Sequence, residues 1–409
     1  MPADSPTIAA ATLSSKVVLL FATACGLAVG NVYYAQPLLD AMAQSFGLAP
    51  ATVGIVITLT QVGYGLGLLL LVPLGDLLDR RRLIVTQTLL SVLALLVVAL
   101  APNGTWLLLG MAGVGLLAVV TQVLVAYAAN LAQPEQRGRV VGVVTSGVVL
   151  GILLARTVAG GMADLAGWRS VYLLSAGLTL MVALALWRVL PAVQRPPAAQ
   201  GYLHLLGSLL HLFKEEKILR DRAVLAMLTF AAATTLWTPL VLPLSAPPLS
   251  LSHTQIGLFG LAGAAGALGA ARAGQLADRG LAQWTSGLAL GLMLLCWIPI
   301  GLTQWSLWAL LVGVIGLDLG LQAVHVTSQS LIYSVRPEAQ SRLAAGYMLF
   351  YSIGSATGSI AATGTYAWAG WTGVCLLGAG INAMALGYWL WSLAPQRPRA
   401  SQPCPLESA

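Results

Sequence analysis

Charge is what this sequence has least of. Only 8% of its 409 residues are Asp, Glu, Lys or Arg, where a soluble globular chain carries about 25%. A water-facing surface on a chain of this length needs a polar skin that these residues cannot supply. A soluble globule is therefore excluded. With 58% of positions hydrophobic, the natural solvent for the surface is lipid. Cysteine is scarce as well: Cys25, Cys296, Cys375 and Cys404 have no short spacing, which argues against a disulfide framework or a thiolate metal site. No glycine loop for nucleotide phosphates, metal-ligand cluster or nucleophile constellation occurs. The chain therefore reads as no enzyme, with no catalytic residue, cofactor or metal expected. The net charge of +7 raises the question of nucleic acid, but the placement of the basic residues points to membrane orientation and no nucleic-acid partner.

What is present is a series of apolar runs. A helix needs about 20 mainly apolar residues to cross hydrocarbon, and twelve stretches qualify: Val17–Leu39, Thr52–Leu71, Leu83–Leu100, Trp106–Leu131, Val140–Met162, Val171–Leu190, Ala223–Leu244, Ile256–Ala273, Leu281–Leu302, Trp305–Ser334, Leu343–Ala367 and Trp371–Leu393. The first is too long for the core of a signal peptide and reads as a retained span. The 44 glycines fit the same picture, because small residues let membrane helices approach closely. With the N-terminus placed in the cytoplasm, the loops and flanks on that side hold all but two of the 20 basic residues. They include Lys16, Arg80–Arg82, Arg137, Arg139, Arg188, Arg195, Lys214, Lys217, Arg220, Arg222, Arg272, Arg279, Arg336, Arg342, Arg397 and Arg399. Arg169 and Arg156 are the exceptions. Such asymmetry predicts cytoplasmic N- and C-termini.

The polar interval before the seventh run divides the chain into an N-terminal six-helix bundle (1–190), a linker (191–222) and a C-terminal six-helix bundle with its tail (223–409). Within the linker, the leucine-rich stretch Tyr202–Phe213 followed by Lys214-Glu215-Glu216-Lys217 predicts an amphipathic helix at the cytoplasmic face. The two bundles repeat each other at a constant offset. Pro134-Glu135 and Arg139 recur as Pro337-Glu338 and Arg342. Gly151, Ala159, Gly161, Gly167-Trp168 and Val171 recur as Gly354, Ala362, Gly364, Gly370-Trp371 and Val374. Two six-helix repeats around a midplane site form a transporter architecture.

At these residues the chain resembles the major facilitator superfamily over essentially its whole length. The loop between that family's second and third helices reads approximately G-x-L-a-D-r-x-G-r-[RK]. Here Leu74, Asp76, Arg80 and Arg81 match, while Val72 and Asp79 replace the two glycines. The second bundle carries Gly274-Gln275-Leu276-Ala277-Asp278-Arg279. The resemblance implies that Asp76, Arg80, Arg81, Asp278 and Arg279 act in conformational gating. Physically, a carboxylate at a helix end can pair with arginines or a neighbouring helix terminus and exchange partners on rocking. The alternative is that these charges only anchor topology. The fifth run, Gly151 to Gly160, keeps the small-residue spacing of family antiporters, with Arg156 where the proline is expected. Leu109 stands near the place of the family's fourth-helix arginine. Asn31-Val32-Tyr33-Tyr34-Ala35-Gln36-Pro37-Leu38-Leu39 is similar to a bacterial subgroup of sugar or drug exporters that work as proton antiporters.

Polar residues inside a span are costly and therefore informative. Asp318, Gln322, His325 and Gln329 share one face of the tenth helix by their spacing. Asp318 lies about 20 Å along the span from Trp305, near the midplane. A carboxyl group carried between buried and hydrated settings can take up a proton in one and release it in the other. Asp318 is thus the expected proton site, with His325 as relay or substrate contact. The alternatives are a structural hydrogen bond between helices or substrate contact alone. Arg156, toward the outer third of its helix, either snorkels to the headgroups or meets an anionic partner with its planar fork. Asn31, Tyr34 and Gln36, then Gln122 and Asn130, then Thr235, Trp237 and Thr238 offer further cavity contacts, with Gln322 from the tenth helix. His204, His211 and His253 fall in loop or interfacial positions, where solvation is the default.

The reading is a multi-pass protein of the bacterial inner membrane that moves a small organic solute by alternating access, as proton-coupled efflux. Its expected partners are a small-molecule substrate, protons and the lipid bilayer, and it is expected to act as a monomer. The competing readings are a proton symporter importing an organic anion on Arg156, and a non-transporting membrane sensor.

Overall fold

The computed structural model of the protein describes residues 14–133, 136–191, 202–336 and 340–393. The repeated Pro134-Glu135 and Pro337-Glu338 pairs, Arg195, Arg397, Arg399 and Cys404 lie outside them, as do the side chains of Asp76 and His204. Twelve helical crossings are present among the described residues. In the first half they are α1 Ser15–Tyr33, α2 Ile55–Leu70, α3 Arg80–Ala99, α4 Gly104–Ala118 continuing as Val120–Leu131, α5 Arg137–Ala166 and α6 Trp168–Val189. In the second they are α7 Lys217–Trp237, α8 Ala264–Asp278, α9 Ala282–Gly301 and α10 Leu307–Val335. The helical run Gln340–Leu393 is bent at Gly370 and supplies α11 (340–369) and α12 (371–393).

The end of the bundle carrying Arg80–Arg82 is called the basic end below, and the opposite end the far end. Several spans differ from the runs read in the sequence; α7, for one, ends at Trp237, short of the Leu244 that closes its run. α1 stops at Tyr33, and a 3-10 turn Gln36–Leu38 leads into a short helix Leu39–Phe46. Pro37 lies at the start of that turn; its fixed φ and missing N–H favour an interruption there. α8 is reached through a helical turn His253–Leu258 and a 3-10 segment Phe259–Gly263. The eleventh and twelfth runs are joined without a loop, because Gly370 takes φ 61°. Its repeat counterpart Gly167, with φ 79°, separates α5 from α6 in the same way. Only glycine adopts such values at little cost.

The halves are built alike. α1 packs on α5, α2 on α4 and α3 on α6; α7 packs on α11, α8 on α10 and α9 on α12. The repeated glycines mark where backbones touch. A Cβ on Gly151 would collide with the Gly26 carbonyl of α1, and one on its counterpart Gly354 with the Met227 carbonyl of α7. The outer faces carry exposed Leu93, Leu288, Ile298 and Leu376, a surface suited to acyl chains. Tryptophans ring both rims, Trp305 and Trp308 at the far end and Trp284 and Trp391 at the basic end, where amphipathic rings sit at headgroup level.

The linker helix Tyr202–Glu215 forms where the leucine-rich stretch predicted it. It docks on the second half through Phe213 stacked on Phe350 and through Arg336, which pairs with Glu215 at 2.8 Å and Glu216 at 2.6 Å. Tyr202 donates to the Leu70 carbonyl of α2 at 3.1 Å, so the linker touches both halves.

The halves meet tightly at the far end. Thr58 donates to the Ala356 carbonyl at 2.9 Å, Ser359 to the Gly54 carbonyl at 3.1 Å and Thr157 to the Gly257 carbonyl at 3.0 Å. Toward the basic end, a Cβ on Gly138 or Gly142 of α5 would meet nothing within 4 Å. The structure is thus closed at the far end. Because overpacking typically costs about 1–3 kcal/mol, Gly151→Val should lower the melting temperature of the purified protein. Gly161→Val, on the same helix with no atom within 4 Å of its Cβ, should leave it unchanged. Thermal unfolding in detergent checks the contrast.

Candidate functional site

The site assembles where α1 and α7 both end. Tyr34 and Trp237 are repeat counterparts, and each closes a helix that a following proline, Pro37 or Pro239, interrupts. The break after α1 brings Gln36 inward, buried at 3% exposure. The break after α7 leaves Trp237 against α5 and α10. These two helices supply opposite charges from different halves: Arg156 from α5, 5% exposed, and Asp318 from α10, 8% exposed.

Arg156 does not snorkel. Its Nε donates to Gln36 Oε1 at 2.7 Å, and its guanidinium carbon lies 3.8 Å from the centre of the Trp237 ring and 5.2 Å from that of Tyr33. The edge of the same indole serves the acid: Trp237 Nε1 donates to Asp318 Oδ1 at 3.2 Å. The charges sense each other, yet they form no direct ion pair, and one indole touches both, its face on the guanidinium and its N–H on the carboxylate. Among the described residues nothing pairs with the two terminal nitrogens of Arg156 or with Oδ2 of Asp318. Arg156, Gln36 and Trp237 also line a small crevice with Pro37, Leu240 and Ile256.

Toward the basic end lies an aromatic layer. The Tyr33 and Tyr351 hydroxyls hydrogen-bond at 2.9 Å across the two halves. Tyr351 packs edge-on against Phe230, with centroids 4.1 Å apart, and against Tyr64 at 6.2 Å. Gln122 donates to the Tyr64 hydroxyl at 3.3 Å. These rings carry no signal in the sequence because aromatic residues in an apolar run read as packing.

The tenth-helix stripe divides. Gln322 lies beside Asp318, where a Cβ on Gly266 of α8 would touch both residues. His325 turns to the Tyr347 hydroxyl at 3.0 Å and to the edge of Phe230, about two turns or 10 Å along the helix from Asp318. It makes no contact with the acid. Asn31 is bonded to Ser175 of α6, and Tyr34 packs edge-on against Tyr172 of α6. Both stabilise the interior of the first half instead of facing Arg156. Asn130 is exposed near the basic end of α4, and Thr235 and Thr238 are buried. Among the gating candidates, Arg80 Nε donates to the Gly75 carbonyl at 2.9 Å and Arg81 to the Trp187 carbonyl at 2.6 Å. Asp278 and Arg279 are exposed. Asp79, where the family pattern has glycine, caps α3 by accepting the Arg82 N–H at 2.7 Å.

The expectation of a solvated His253 does not hold. At the far end its Nε2 lies 3.0 Å from Asp40 Oδ1 and its Nδ1 3.0 Å from Asp164 Oδ1. Asp164 also accepts from the Thr254 amide at 2.7 Å and the Thr254 hydroxyl at 2.6 Å. Both acids belong to the first half and the histidine to the second, so the cluster bridges the halves. The Asp40 hydrogen bond pushes the His253 pKa up to about 9, against the opposing effect of partial burial and with help from Asp164.

A profile of the Major Facilitator Superfamily matches residues 19–350. The transporter YgaY of Escherichia coli O157:H7 is 48% identical over 377 residues, covering 92% of this chain and 95% of the relative. A sugar efflux transporter of Helicobacter pylori strain 26695 is 22% identical, covering 86% of this chain and 88% of the relative. Among solved structures, a bacterial homologue of the human lysosomal transporter Spinster in an inward-facing, unoccupied conformation superposes with a TM-score of 0.76. It is 15% identical, over 92% of this chain and 96% of that one.

An exposed histidine titrates near 6.5, so closing the far end raises the affinity of His253 for its proton. The bridge contributes fully to closure below about pH 6.5 and loses its contribution as pH rises through about 9. Spin labels at Pro102 and Gln304, both exposed in far-end loops, should report more of the separated state over that window. In His253→Gln the two labels should keep one distance distribution across it.

Proposed function

The chain belongs to the major facilitator superfamily, and from that premise we propose that it exports a small organic solute across the bacterial inner membrane in exchange for entering protons. The solute crosses by alternating access between the 1–190 and 223–409 bundles. The basic end faces the cytoplasm, in keeping with the bias of Lys and Arg toward that side, and both termini lie there. The bacterial relatives fit an inner-membrane location, and the efflux role of the Helicobacter pylori relative favours the outward direction.

The observation that carries the reading is the pair of buried, opposite charges drawn from different halves. Asp318 has one oxygen on Trp237 and the other without a partner among the described residues. It is the acid that can exchange a proton for a solute contact as the site passes from a closed to a hydrated setting. Arg156 supplies the compensating charge that makes an ionised Asp318 tolerable in a dry interior. Gln36 and Trp237 hold these two charges in position. The Tyr33–Tyr351 hydroxyl pair bridges the halves on the basic side. His325 meets the Tyr347 hydroxyl, on the basic side of the acid.

Arg156 also suits a second reading, symport of an organic anion, because its two terminal nitrogens are without described partners. Direction separates the two. In proteoliposomes with a pH dye inside, an imposed proton gradient should drive solute against proton flow under exchange and along it under symport. Asp318→Asn should abolish the proton movement that accompanies solute flux, while His253→Gln retains it. Proton movement that persists in Asp318→Asn removes the carboxyl group from the coupling role.

A further inference from the structure

The central site carries one positive and one negative side chain, and a buried charge without a partner is strongly disfavoured. A solute bearing a single charge would pair with one of them and leave the unpartnered polar atoms of the other without a ligand. A neutral solute would satisfy neither. We infer that the transported solute is a small amphoteric molecule of the amino-acid type, its carboxylate received by Arg156 and its ammonium by Asp318. This rests on the proton-exchange reading above and gives it a substrate class.

Three features of the geometry support that class. First, the charges are held apart. Trp237 has its ring face under the Arg156 guanidinium at 3.8 Å and its N–H on Asp318 at 3.2 Å, so the pair does not collapse into a direct ion pair. Second, the atoms left without described partners are the ones such a ligand needs. Among the described residues Arg156 hydrogen-bonds through Nε alone, which leaves the two terminal nitrogens, a planar fork that matches a carboxylate. Asp318 keeps Oδ2 free, an acceptor for an ammonium N–H. Third, the wall beside the free oxygen is a glycine. A Cβ on Gly263 would stand 3.3 Å from Asp318 Oδ2 and 3.0 Å from Leu153 Cδ2, so any larger residue there would crowd the free oxygen. The flanking Tyr33 and Trp237 rings suit an apolar or aromatic side chain on the solute.

The chemistry of exchange then follows from one carboxyl group. Asp318 holds either the solute ammonium, as carboxylate, or a proton, as neutral acid, and never both. Release of the ammonium leaves the carboxylate to be protonated, and loss of that proton prepares it for the next ammonium. Arg156 remains charged throughout, held by the Gln36 oxygen and the Trp237 ring face when the site is empty and by the solute carboxylate as well when it is loaded.

The test uses three probes that share a phenyl ring: phenylalanine carries both charges, 3-phenylpropionate only the carboxylate, and phenethylamine only the ammonium. Binding to the purified full-length protein is read by ligand-induced thermal stabilisation and by equilibrium dialysis. Phenylalanine should bind at least about tenfold more tightly than either analogue, the loss expected for about 1.4 kcal/mol of forfeited charge-assisted bonding. Arg156→Gln should erase the advantage over phenethylamine, and Asp318→Asn the advantage over 3-phenylpropionate. Gly263→Ala should weaken phenylalanine and phenethylamine while sparing 3-phenylpropionate. The comparison among probes on the unaltered protein stands even where a variant fails to fold.

Equal or tighter binding of a singly charged analogue overturns the inference. So does a failure of phenylalanine and of every other standard amino acid to bind. The proton reading is judged separately: amino-acid flux without accompanying proton movement refutes exchange and leaves the substrate class standing. Proton-driven flux of a singly charged solute, with amino acids excluded, does the reverse.

Discussion

Hydrocarbon cannot solvate a charge, so a charge inside this bundle has to find its compensation from another part of the protein. Arg156 and Asp318 find it from opposite halves. Neither half could bury its own charge alone without a heavy desolvation cost, and the closed far end is the arrangement in which both are sheltered. Under the proposed alternating access, separation of the halves would hydrate both groups. The electrostatics of the site and the position of the halves are therefore one variable, and this link lets a chemical event at the centre alter the balance between closed and open forms. Trp237 keeps that link adjustable. A direct ion pair would be a deep, inert minimum, whereas charges shared across an indole retain capacity for a third party.

Packing within and between the halves uses different contacts. Within each half, α1 and α5, or α7 and α11, approach so closely that backbone lies against backbone and no methyl group fits between them. Such surfaces do not slide without losing much of their dispersion attraction. Between the halves, the seal at the far end includes isolated hydroxyl-to-carbonyl hydrogen bonds from Thr58, Ser359 and Thr157. Each contributes only about 0.5–1.5 kcal/mol net, and each can be exchanged for water on opening. Backbone also lies against backbone across the seam, where a Cβ on Gly160 would collide with the His253 carbonyl and one on Gly257 with the Arg156 carbonyl, so the far end is closed by close packing as well as by these polar contacts.

Much of this is legible in the residues. Hydropathy alone locates the twelve crossings, because the length of an apolar run is a direct consequence of bilayer thickness. Asp318 and Arg156 stand out because a charge within such a run demands an explanation. The repeat foretells where helices touch, through Gly151 and Gly354, and where they bend, through Gly167 and Gly370. What cannot be read is the direction of uncharged polar side chains. Asn31 lies within one helical turn of Tyr33, yet one serves the interior of the first half and the other the interface. Helical phase near a proline break does not survive translation into sequence spacing. His253 escapes for a different reason. Its partners Asp40 and Asp164 lie 213 and 89 positions away, and only the closure of the halves brings these loop and helix-end residues together. Arg222 makes the same point at the basic end: by its place in the sequence it is a cation flanking the linker, yet it is buried against Ser286 and Gln283 of α9.

The central site and the histidine bridge are also joined mechanically. On α5, Arg156, Gly160 and Asp164 recur at four-residue spacing and so share one face. All three meet the segment 253–260 that leads into α8. A Cβ on Gly260 would stand 2.8 Å from the Arg156 Cβ, one on Gly160 would collide with the His253 carbonyl, and Asp164 holds both His253 and Thr254. Arg156 to Asp164 spans about 12 Å of helix, stiff enough to move as a unit. A solute that displaced α5 at Arg156, as proposed, would therefore shift the carboxylate that grips His253. Conversely, loss of the His253 proton loosens the contact that holds α5 against the 253–260 segment. Two chemically different events, one in the dry centre and one at the far-end rim, thus act on the same pair of surfaces, and α5 carries the effect of each to the other.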